Sequence, residues 1–275
     1  MQHTAVADIE TEMERLRQQL AARERELHVH RERLRRQLEL AANVHRSLLP
    51  KPIHHERIFL DLRYLPIEQV GGDYCQVKFS DRETLYLTIS DVTGHGIGPA
   101  LLATRVSSEV RYGILYGRPP RDIIRSLNTF ICDHFSEAGL YLSFLAAQID
   151  LARRRITWSG AGHPAVLLIH RGGTSVQRLR SQNMLVGVQR DIMSDEPEHS
   201  AQLATGDRLL FYTDGLTETA DSEGRQLGLD GLAEIAAEAM SVELFDMADL
   251  VLRRVAEYQH EPTDDDMTLI VAEIR

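Results

Sequence analysis

Four short acidic clusters recur along this chain of 275 residues, and each lies beside an apolar run that reads as a β-strand. A fold can bring such carboxylates together from distant parts of the sequence, because a side chain at a strand end is held by the sheet and still faces an open rim. Hard divalent cations such as Mg²⁺ and Mn²⁺ prefer oxygen ligands. The pattern therefore predicts a metal site formed from the clusters Gly71-Gly72-Asp73, Ser90-Asp91-Val92, Thr213-Asp214-Gly215 and Asp264-Asp265-Asp266.

The composition is that of a globular protein, with 43% hydrophobic and 26% charged residues. A formal net charge of -10 argues against a nucleic-acid partner, which would require a basic surface. No stretch approaches the roughly 18 apolar residues of a membrane span, and the N-terminus lacks the apolar core of a signal peptide. Two isolated cysteines, Cys75 and Cys132, suit a reducing compartment. We therefore expect a cytoplasmic protein with no membrane and no nucleic-acid partner, acting on a protein or a small molecule.

Residues 1–50 form the first predicted domain, and they contain no glycine and no aromatic residue. A heptad pattern forms a seam of two rows, one apolar throughout and the other with a polar middle, which favours a parallel two-stranded coiled coil and hence a homodimer. A solvated single helix, or a helix packed on its own body, is the alternative. Pro50 and Pro52 end the helix, because proline cannot continue it. The apolar row is Met13, Leu20, Leu27, Leu34, Ala41 and Leu48, and the row with the polar middle is Ile9, Leu16, Arg23, His30, Gln37 and Val44.

Residues 57–275 form the second predicted domain, in which strands dominate at first. Runs of strands with helices in pairs, rather than strict alternation, indicate an α+β layered domain. Strands are predicted at residues 58–65, 73–79, 84–91, 140–150, 155–159, 165–170, 175–179, 208–212 and 267–273. Helices are predicted at residues 98–116, 121–134, 229–240 and 244–258, and an irregular loop at residues 191–201.

The Asp91 strand continues into a loop with three glycines that opens a helix, where unpaired amides favour a phosphate. This loop matches neither a Walker A motif nor the dinucleotide fingerprint, so no nucleotide cofactor is expected. His95 is a candidate general acid, because histidine titrates near neutrality, although a histidine here can also hold the loop by a hydrogen bond. His163 lies between glycine and proline, and we interpret it as a structural residue of a turn.

The glycines before Asp73 allow a sharp turn and a close backbone approach to an ion, and an ordinary turn is the alternative. Asp214 follows an apolar strand and precedes a glycine. The three consecutive acids at residues 264–266 repel one another, a cost that a bound cation would offset. A solvated acidic turn is the alternative at that position.

In this order the motifs resemble those of the SpoIIE/RsbU-type bacterial branch of the metal-dependent protein phosphatase 2C family. The resemblance covers about residues 57–275, and residues 40–50 also resemble the linker helix found before such domains. It implies a layered α-β-β-α sandwich, phosphatase 2C-like, with an N-terminal coiled-coil helix. The matching residues are Gly72-Asp73, Ser90-Asp91-Val92-Thr93-Gly94-His95-Gly96, Gly160-Ala161-Gly162-His163, Thr213-Asp214-Gly215 and Asp265-Asp266-Met267-Thr268.

The resemblance also implies a centre of two Mn²⁺ or Mg²⁺ ions. Asp91 would bridge the two ions, and the carbonyl of Val92 would help to bind one of them. Asp73 would serve one ion directly or through water, whereas Asp214 and Asp265 would hold the other. Asp266 is the less expected ligand of its pair, because the metal acid of the motif lies three residues before the threonine.

The function implied by the family is that of a protein serine/threonine phosphatase in signal transduction. It would hydrolyse phosphoserine or phosphothreonine on a regulatory partner protein by a two-metal-activated water. An anti-sigma-factor antagonist with a STAS fold is the implied substrate, and an upstream sensor is a further expected partner. The alternative is a partner-binding module with little turnover, in which metals mainly order the loops.

Overall fold

A computed structural model describes residues 2–94, 96–135, 137, 139–172, 175–261, 263 and 265–275. The chain divides into two compact units, Met1–Val44 and His45–Arg275. Helix α1 spans Gln2–Leu48, so it ends just before Pro50, as the sequence predicts. Among all the described residues, no helix has both the length and the apolar character that crossing a bilayer requires.

The first unit consists of α1 up to Val44, and the predicted seam is exposed along it. The side chains of Met13, Leu20, Leu27 and Leu34 are 47% to 62% exposed. These four residues are the N-terminal members of the apolar row, whereas its last two members, Ala41 and Leu48, are half-buried. The long N-terminal helix is therefore present, and the four apolar side chains are open to solvent in a single chain.

The second unit contains two antiparallel sheets among the described residues. One sheet has six strands in the spatial order β1 (Ile53–His55), β2 (Ile58–Leu65), β11 (Met267–Ile274), β10 (Arg208–Tyr212), β7 (Val166–Ile169) and β8 (Val176–Leu179). The other has five strands in the order β3 (Tyr74–Phe79), β4 (Thr84–Val92), β5 (Leu142–Asp150), β6 (Arg155–Ala161) and β9 (His199–Gln202).

The two sheets face each other across a core of buried aliphatic and aromatic side chains from both. Leu87 and Leu145 contribute from the five-stranded sheet, and Leu168, Phe211 and Ile270 contribute from the six-stranded sheet. Burial of such side chains is the main driving force for packing one sheet on another.

Two pairs of helices cover the outer faces of the sheets. Helices α2 (Ile97–Leu115) and α3 (Pro120–His134) share a core with the five-stranded sheet. Helices α5 (Gly228–Glu238) and α6 (Leu244–Tyr258) share a core with the six-stranded sheet, and the short helix α4 (Gly215–Glu218) follows β10. The predicted α+β fold, a layered α-β-β-α sandwich, is therefore confirmed.

One predicted element is wrong in part. Residues 191–201 were expected to form an irregular loop, but His199–Gln202 forms β9 at the edge of the five-stranded sheet. This strand is short and polar, so it lacks the apolar run by which strands are recognised in a sequence. Its order comes from main-chain pairing with β6, in which Trp158 lies opposite His199.

Candidate metal centre

Three carboxylates from three separate motifs converge at one rim of the two sheets. One ligand oxygen from each of Asp91, Asp214 and Asp265 lies within 4.8 Å of the others. Asp91 lies near the end of β4, Asp214 lies two residues after the end of β10, and Asp265 precedes β11. Because β10 and β11 are antiparallel neighbours, the end of one and the start of the other meet at the same rim. The fold thus brings together the three acids that the sequence singled out most strongly.

The surroundings of these acids disfavour their charged forms when no cation is bound. Burial raises the pKa of Asp91 to about 8, and the charges of Asp214 and Asp265 act in the same direction. Burial also raises the pKa of Asp214, and the neighbouring Glu218 adds to that shift. Three carboxylates at this spacing repel one another unless positive charge lies between them.

The donor set fits a hard divalent cation. The site offers carboxylate oxygens, which suit Mg²⁺ and Mn²⁺. In addition, Oδ1 of Asp214 and Oδ1 of Asp73 are both buried and have no hydrogen-bond partner among the described residues. A buried polar atom without a partner is costly, and a metal ion bound at each of these two atoms would satisfy it.

Asp73 is not one of the three acids that lie within 4.8 Å of one another, and its side chain is held differently. It is 1% exposed, and its Oδ2 accepts hydrogen bonds from the hydroxyls of Thr213, at 2.8 Å, and Thr268, at 2.6 Å. Burial raises its pKa well above the usual range, and the charge of Asp91 raises it further. Asp73 is therefore close enough to Asp91 to belong to the same electrostatic cluster.

The main chain around Val92 explains why Gly72 precedes Asp73. Val92 is fully buried, and a Cβ atom on Gly72 would lie 2.7 Å from its carbonyl oxygen. No ordinary side chain tolerates that distance, so glycine is required for the two backbones to approach. The Val92 carbonyl, the predicted main-chain ligand, is thus positioned against the Asp73 turn.

Asp266 has a different environment from its neighbour Asp265. Its Oδ1 accepts the amide hydrogen of Ile67 at 2.9 Å, and its Oδ2 accepts that of Gly72 at 2.8 Å. The side chain is 3% exposed, and a Cβ on Gly71 would collide with it. This carboxylate holds the loop before Asp73, which agrees with its lower rank as a ligand in the sequence analysis.

The motifs contain two histidines, His95 and His163, and of these His163 lies among the described residues. His95, the candidate general acid, and Asp264 lie outside the described residues. His163 is buried, its Nδ1 lies 2.8 Å from the Ser143 hydroxyl, and burial lowers its pKa to about 3. Since Ser143 lies opposite Asp91 in the sheet register, this neutral histidine supports the strand next to β4.

Thr213 and Thr268 contact Asp73 directly, a role that the sequence alone does not assign to them. Both are fully buried, and the amide of Thr268 also donates to the Thr213 hydroxyl at 2.9 Å. The signal that could have found them is a hydroxyl at the end of a strand that is otherwise apolar. A buried hydroxyl requires a partner, and the nearby acids were the available acceptors.

A cavity of about 540 Å³ adjoins the acid cluster on the side of α4. Asp265 and Glu218 line it next to the proposed centre, and the rest of its lining comes from residues 219–222, 224, 226, 260, 261 and 263. Of the three clustered acids, Asp265 is the one that lines this cavity.

Comparison with known proteins decides the family. Residues 81–275 match the family described as Stage II sporulation protein E (SpoIIE). The chain belongs to this family. Membership confirms the enzyme class predicted from the sequence, a protein serine/threonine phosphatase of the PP2C type.

Two relatives and one solved structure illustrate the relationship. The chain is 25% identical to the phosphoserine phosphatase RsbU of Bacillus subtilis (strain 168) over 240 residues, which are 86% of this chain and 70% of RsbU. It is 30% identical to the phosphoserine phosphatase RsbP of the same organism over 192 residues, 68% of this chain and 47% of RsbP. The chain therefore spans less than half of the length of RsbP.

The fold is similar to that of the SiaA-PP2C domain of Pseudomonas aeruginosa, with a TM-score of 0.76 and 21% identity. That comparison covers 89% of this chain and 98% of the SiaA domain. At this level of identity the likeness concerns the fold alone.

Proposed function

We propose that this SpoIIE-family chain hydrolyses phosphoserine or phosphothreonine on a regulatory partner protein, using two divalent cations, Mn²⁺ or Mg²⁺. The observation that carries the proposal is the convergence of Asp91, Asp214 and Asp265 within 4.8 Å. Carboxylates so close together, with the pKa of Asp91 raised to about 8, are stabilised as anions only by nearby positive charge.

Each residue has a separate part in holding the cations. Asp91, at the centre of the electrostatic cluster, would bridge them, and Asp214 and Asp265 would hold one of them. Asp73 and the Val92 carbonyl would complete the set from the five-stranded sheet. When bound, the two cations supply an activated water and neutralise the phosphoryl oxygens.

The substrate class is proposed from the relatives and from the shape of the site. RsbU and RsbP are phosphoserine phosphatases. The cavity of about 540 Å³ beside Asp265 is open enough for a phosphorylated side chain that protrudes from a folded protein. An anti-sigma-factor antagonist with a STAS fold is the partner that we propose.

Substitution of Asp91 by asparagine tests this function. Asn keeps the shape of the side chain and removes the charge, so the full-length variant should lose at least 100-fold in Mn²⁺-dependent hydrolysis of p-nitrophenyl phosphate and of a phosphoserine peptide. Asp246→Asn, at an exposed position on α6, is the matched control and should retain wild-type rates.

Equal activity of wild type and Asp91→Asn would overturn the metal mechanism. A wild type that binds a phosphorylated partner tightly with Mn²⁺ but releases no phosphate would favour the partner-binding module instead. Phosphate release and partner binding are therefore measured on the same samples.

We also propose that α1 mediates a homodimer and receives the signal of an upstream sensor protein. The support is the row of half-exposed apolar side chains Met13, Leu20, Leu27 and Leu34. A second copy of the same helix would cover this row in a parallel coiled coil.

A further inference from the structure

The two carboxylate oxygens of Asp73 have opposite surroundings. Oδ2 accepts hydrogen bonds from the hydroxyls of Thr213 and Thr268 at 2.8 and 2.6 Å, whereas the buried Oδ1 has no partner among the described residues. We propose that Thr213 and Thr268 are positioning residues that form a clamp on Oδ2 and thereby reserve Oδ1 of Asp73 for a cation. This inference rests on the proposed metal centre and adds a role for two residues outside its ligand set.

The direction of the hydrogen bonds supports the clamp. A threonine hydroxyl has one hydrogen to donate. The Thr213 hydroxyl accepts the amide hydrogen of Thr268 at 2.9 Å, and its own hydrogen has Asp73 Oδ2 as the near acceptor, since the Asp266 carbonyl is 3.5 Å away. The Thr268 hydroxyl has the same oxygen at 2.6 Å. Both donors therefore point to one oxygen, which fixes the rotation of the carboxylate.

The clamp also joins the two sheets at the rim where the acids meet. Asp73 precedes β3 of the five-stranded sheet, whereas Thr213 follows β10 and Thr268 lies in β11 of the six-stranded sheet. Thr213 is directly followed by Asp214, and Thr268 comes three residues after Asp265. A hydrogen bond between the sheets at these positions therefore sets Asp73 relative to the acids that the opposite sheet supplies.

Burial makes these hydrogen bonds effective. Thr213 and Thr268 are 0% exposed and Asp73 is 1% exposed, so water does not compete for Oδ2. Hydrogen bonds to a charged acceptor in such surroundings are stronger than neutral ones. Outer partners that orient a metal ligand affect metal affinity by about 10- to 100-fold when they are removed.

Valine substitutions test the clamp, because valine has nearly the shape of threonine but no hydroxyl. Thr268→Val and Thr213→Val should each weaken Mn²⁺ binding to the full chain by about 10-fold or more. Isothermal titration calorimetry measures the affinity, and the melting temperature of the metal-free protein measures the fold. Thr268→Ser keeps the donor and should bind Mn²⁺ within about threefold of wild type.

Thr88→Val is the matched control for a buried threonine. Thr88 lies in β4 of the five-stranded sheet, is fully buried, and its hydroxyl has no hydrogen-bond partner among the described residues. Its replacement removes a buried threonine hydroxyl that is not bonded to Asp73, so the Mn²⁺ affinity should stay at the wild-type value.

A double-mutant cycle separates the clamp from a general effect on the core. In an Asp73→Asn background, Thr268→Val should cause little further loss of affinity, because an amide has only one oxygen and leaves none for the clamp to reserve for a cation. If Thr268→Val does not yield folded protein, Thr213→Val and Thr268→Ser carry the same comparison.

The outcomes distinguish this inference from the proposed function. Wild-type protein that binds no Mn²⁺ would overturn the metal centre itself. Wild-type protein that binds Mn²⁺ with the same affinity as both valine variants would overturn the clamp alone, even if their melting temperatures fall. Losses that simply add in the Asp73→Asn background would overturn it as well.

Discussion

Asp265 and Asp266 are neighbours in the chain, yet their carboxylates lie in different surroundings. Asp265 contributes an oxygen to the cluster with Asp91 and Asp214. Asp266 instead accepts the amide hydrogens of Ile67 and Gly72 and closes the loop before Asp73. Successive residues near a strand start point in opposite directions, which explains how one acid faces the rim and the other faces a loop.

This difference predicts two distinct phenotypes for the same substitution. Asp265→Asn should lower Mn²⁺ affinity and activity strongly and leave the metal-free protein as stable as wild type or more so, because one repelling charge is gone. Asp266→Asn should destabilise the fold by about 1–3 kcal/mol, since an amide cannot accept both backbone hydrogens with its single oxygen. Urea unfolding without metal and calorimetric Mn²⁺ titration separate the two effects.

The contrast fails if both variants lose metal affinity to the same degree while stability is unchanged. Such a result would mean that Asp266 also acts as a ligand. Asp246→Asn again serves as the exposed control in both measurements.

At the scale of single residues, the sequence indicates which acids matter and not how they are oriented. Asp91 and Asp214 follow apolar runs, and that pattern is visible without a structure. The contact between Asp73 and Thr268 spans 195 positions, and no local pattern records which oxygen of the carboxylate the hydroxyl meets. This contact is visible only once the two sheets have been placed against each other in the structure.

Among the elements, the strands that deliver the acids follow the hydrophobic pattern closely. β10 has the predicted bounds, and β4 and β11 each extend one residue beyond their predictions. Their burial in the middle of a sheet demands near-continuous apolar sequence, so the signal is strong. β1, β9 and α4 were missed, because the first two are short edge strands held by pairing and the third is one turn long.

The end of α1 contacts the loop that carries Asp73, within the second unit. His45 is 2% exposed, and its ring centroid lies 5.7 Å from that of Tyr64. The Tyr64 hydroxyl in turn accepts the amide hydrogen of Gly71 at 3.2 Å. The last turn of the helix therefore packs against the chain just before Asp73, the proposed metal ligand. A shift of this helical turn would act on the Asp73 loop through Tyr64.

The α1 seam carries a prediction of its own. Leu27→Lys combined with Leu34→Lys places charges at two positions of the apolar row, where a coiled-coil partner would bury them, so the proposed dimer should dissociate. Multi-angle light scattering of the full chain measures the mass. Ala22→Lys, on the side of the helix away from both rows of the seam, is the control and should keep the wild-type mass.

Two results would contradict the coiled-coil dimer. A wild type that is monomeric at high protein concentration would mean that the seam of α1 does not pair with a second copy. A double-lysine variant that remains dimeric would show that another surface joins the two copies.

For the molecule as a whole, the buried acids at the rim of the sheets make the stability of the metal-free protein depend on pH. The sheets hold Asp91 where burial and nearby charges raise its pKa to about 8, against about 4 in an unfolded chain. Between these values the folded protein keeps a proton that the unfolded chain has released, so its stability falls as the pH rises. His163, with a pKa lowered to about 3, acts in the opposite direction below about pH 6.5.

The window from about pH 6.5 to about 8 therefore isolates the acids. We expect the free energy of unfolding of the metal-free protein to fall across it, by at most about 1.4 kcal/mol per pH unit for each proton. Saturating Mn²⁺ should remove the fall, because the bound cations stabilise the anionic carboxylates, and should add about 2.7 kcal/mol at a free concentration 100 times the Kd. Urea unfolding at several pH values, with EDTA or with Mn²⁺, gives both quantities.

Asp91→Asn is the matched variant for this measurement. It lacks the titrating group, so its metal-free stability should change less between these pH values than that of wild type. Equal slopes for the two proteins would contradict the assignment of the pH dependence to Asp91.

The sequence by itself determined the α+β class, the long N-terminal helix and the acids at the strand ends, because hydrophobic period, proline and charge act locally. The tertiary structure alone decided that Asp266 binds the amides of Ile67 and Gly72, that His199–Gln202 is a strand, and that two threonines donate hydrogen bonds to one oxygen of Asp73. These features depend on which strands pair and in what register. Pairing joins positions far apart in the chain, and its energy comes from burial and hydrogen bonds that exist only once both sheets have packed.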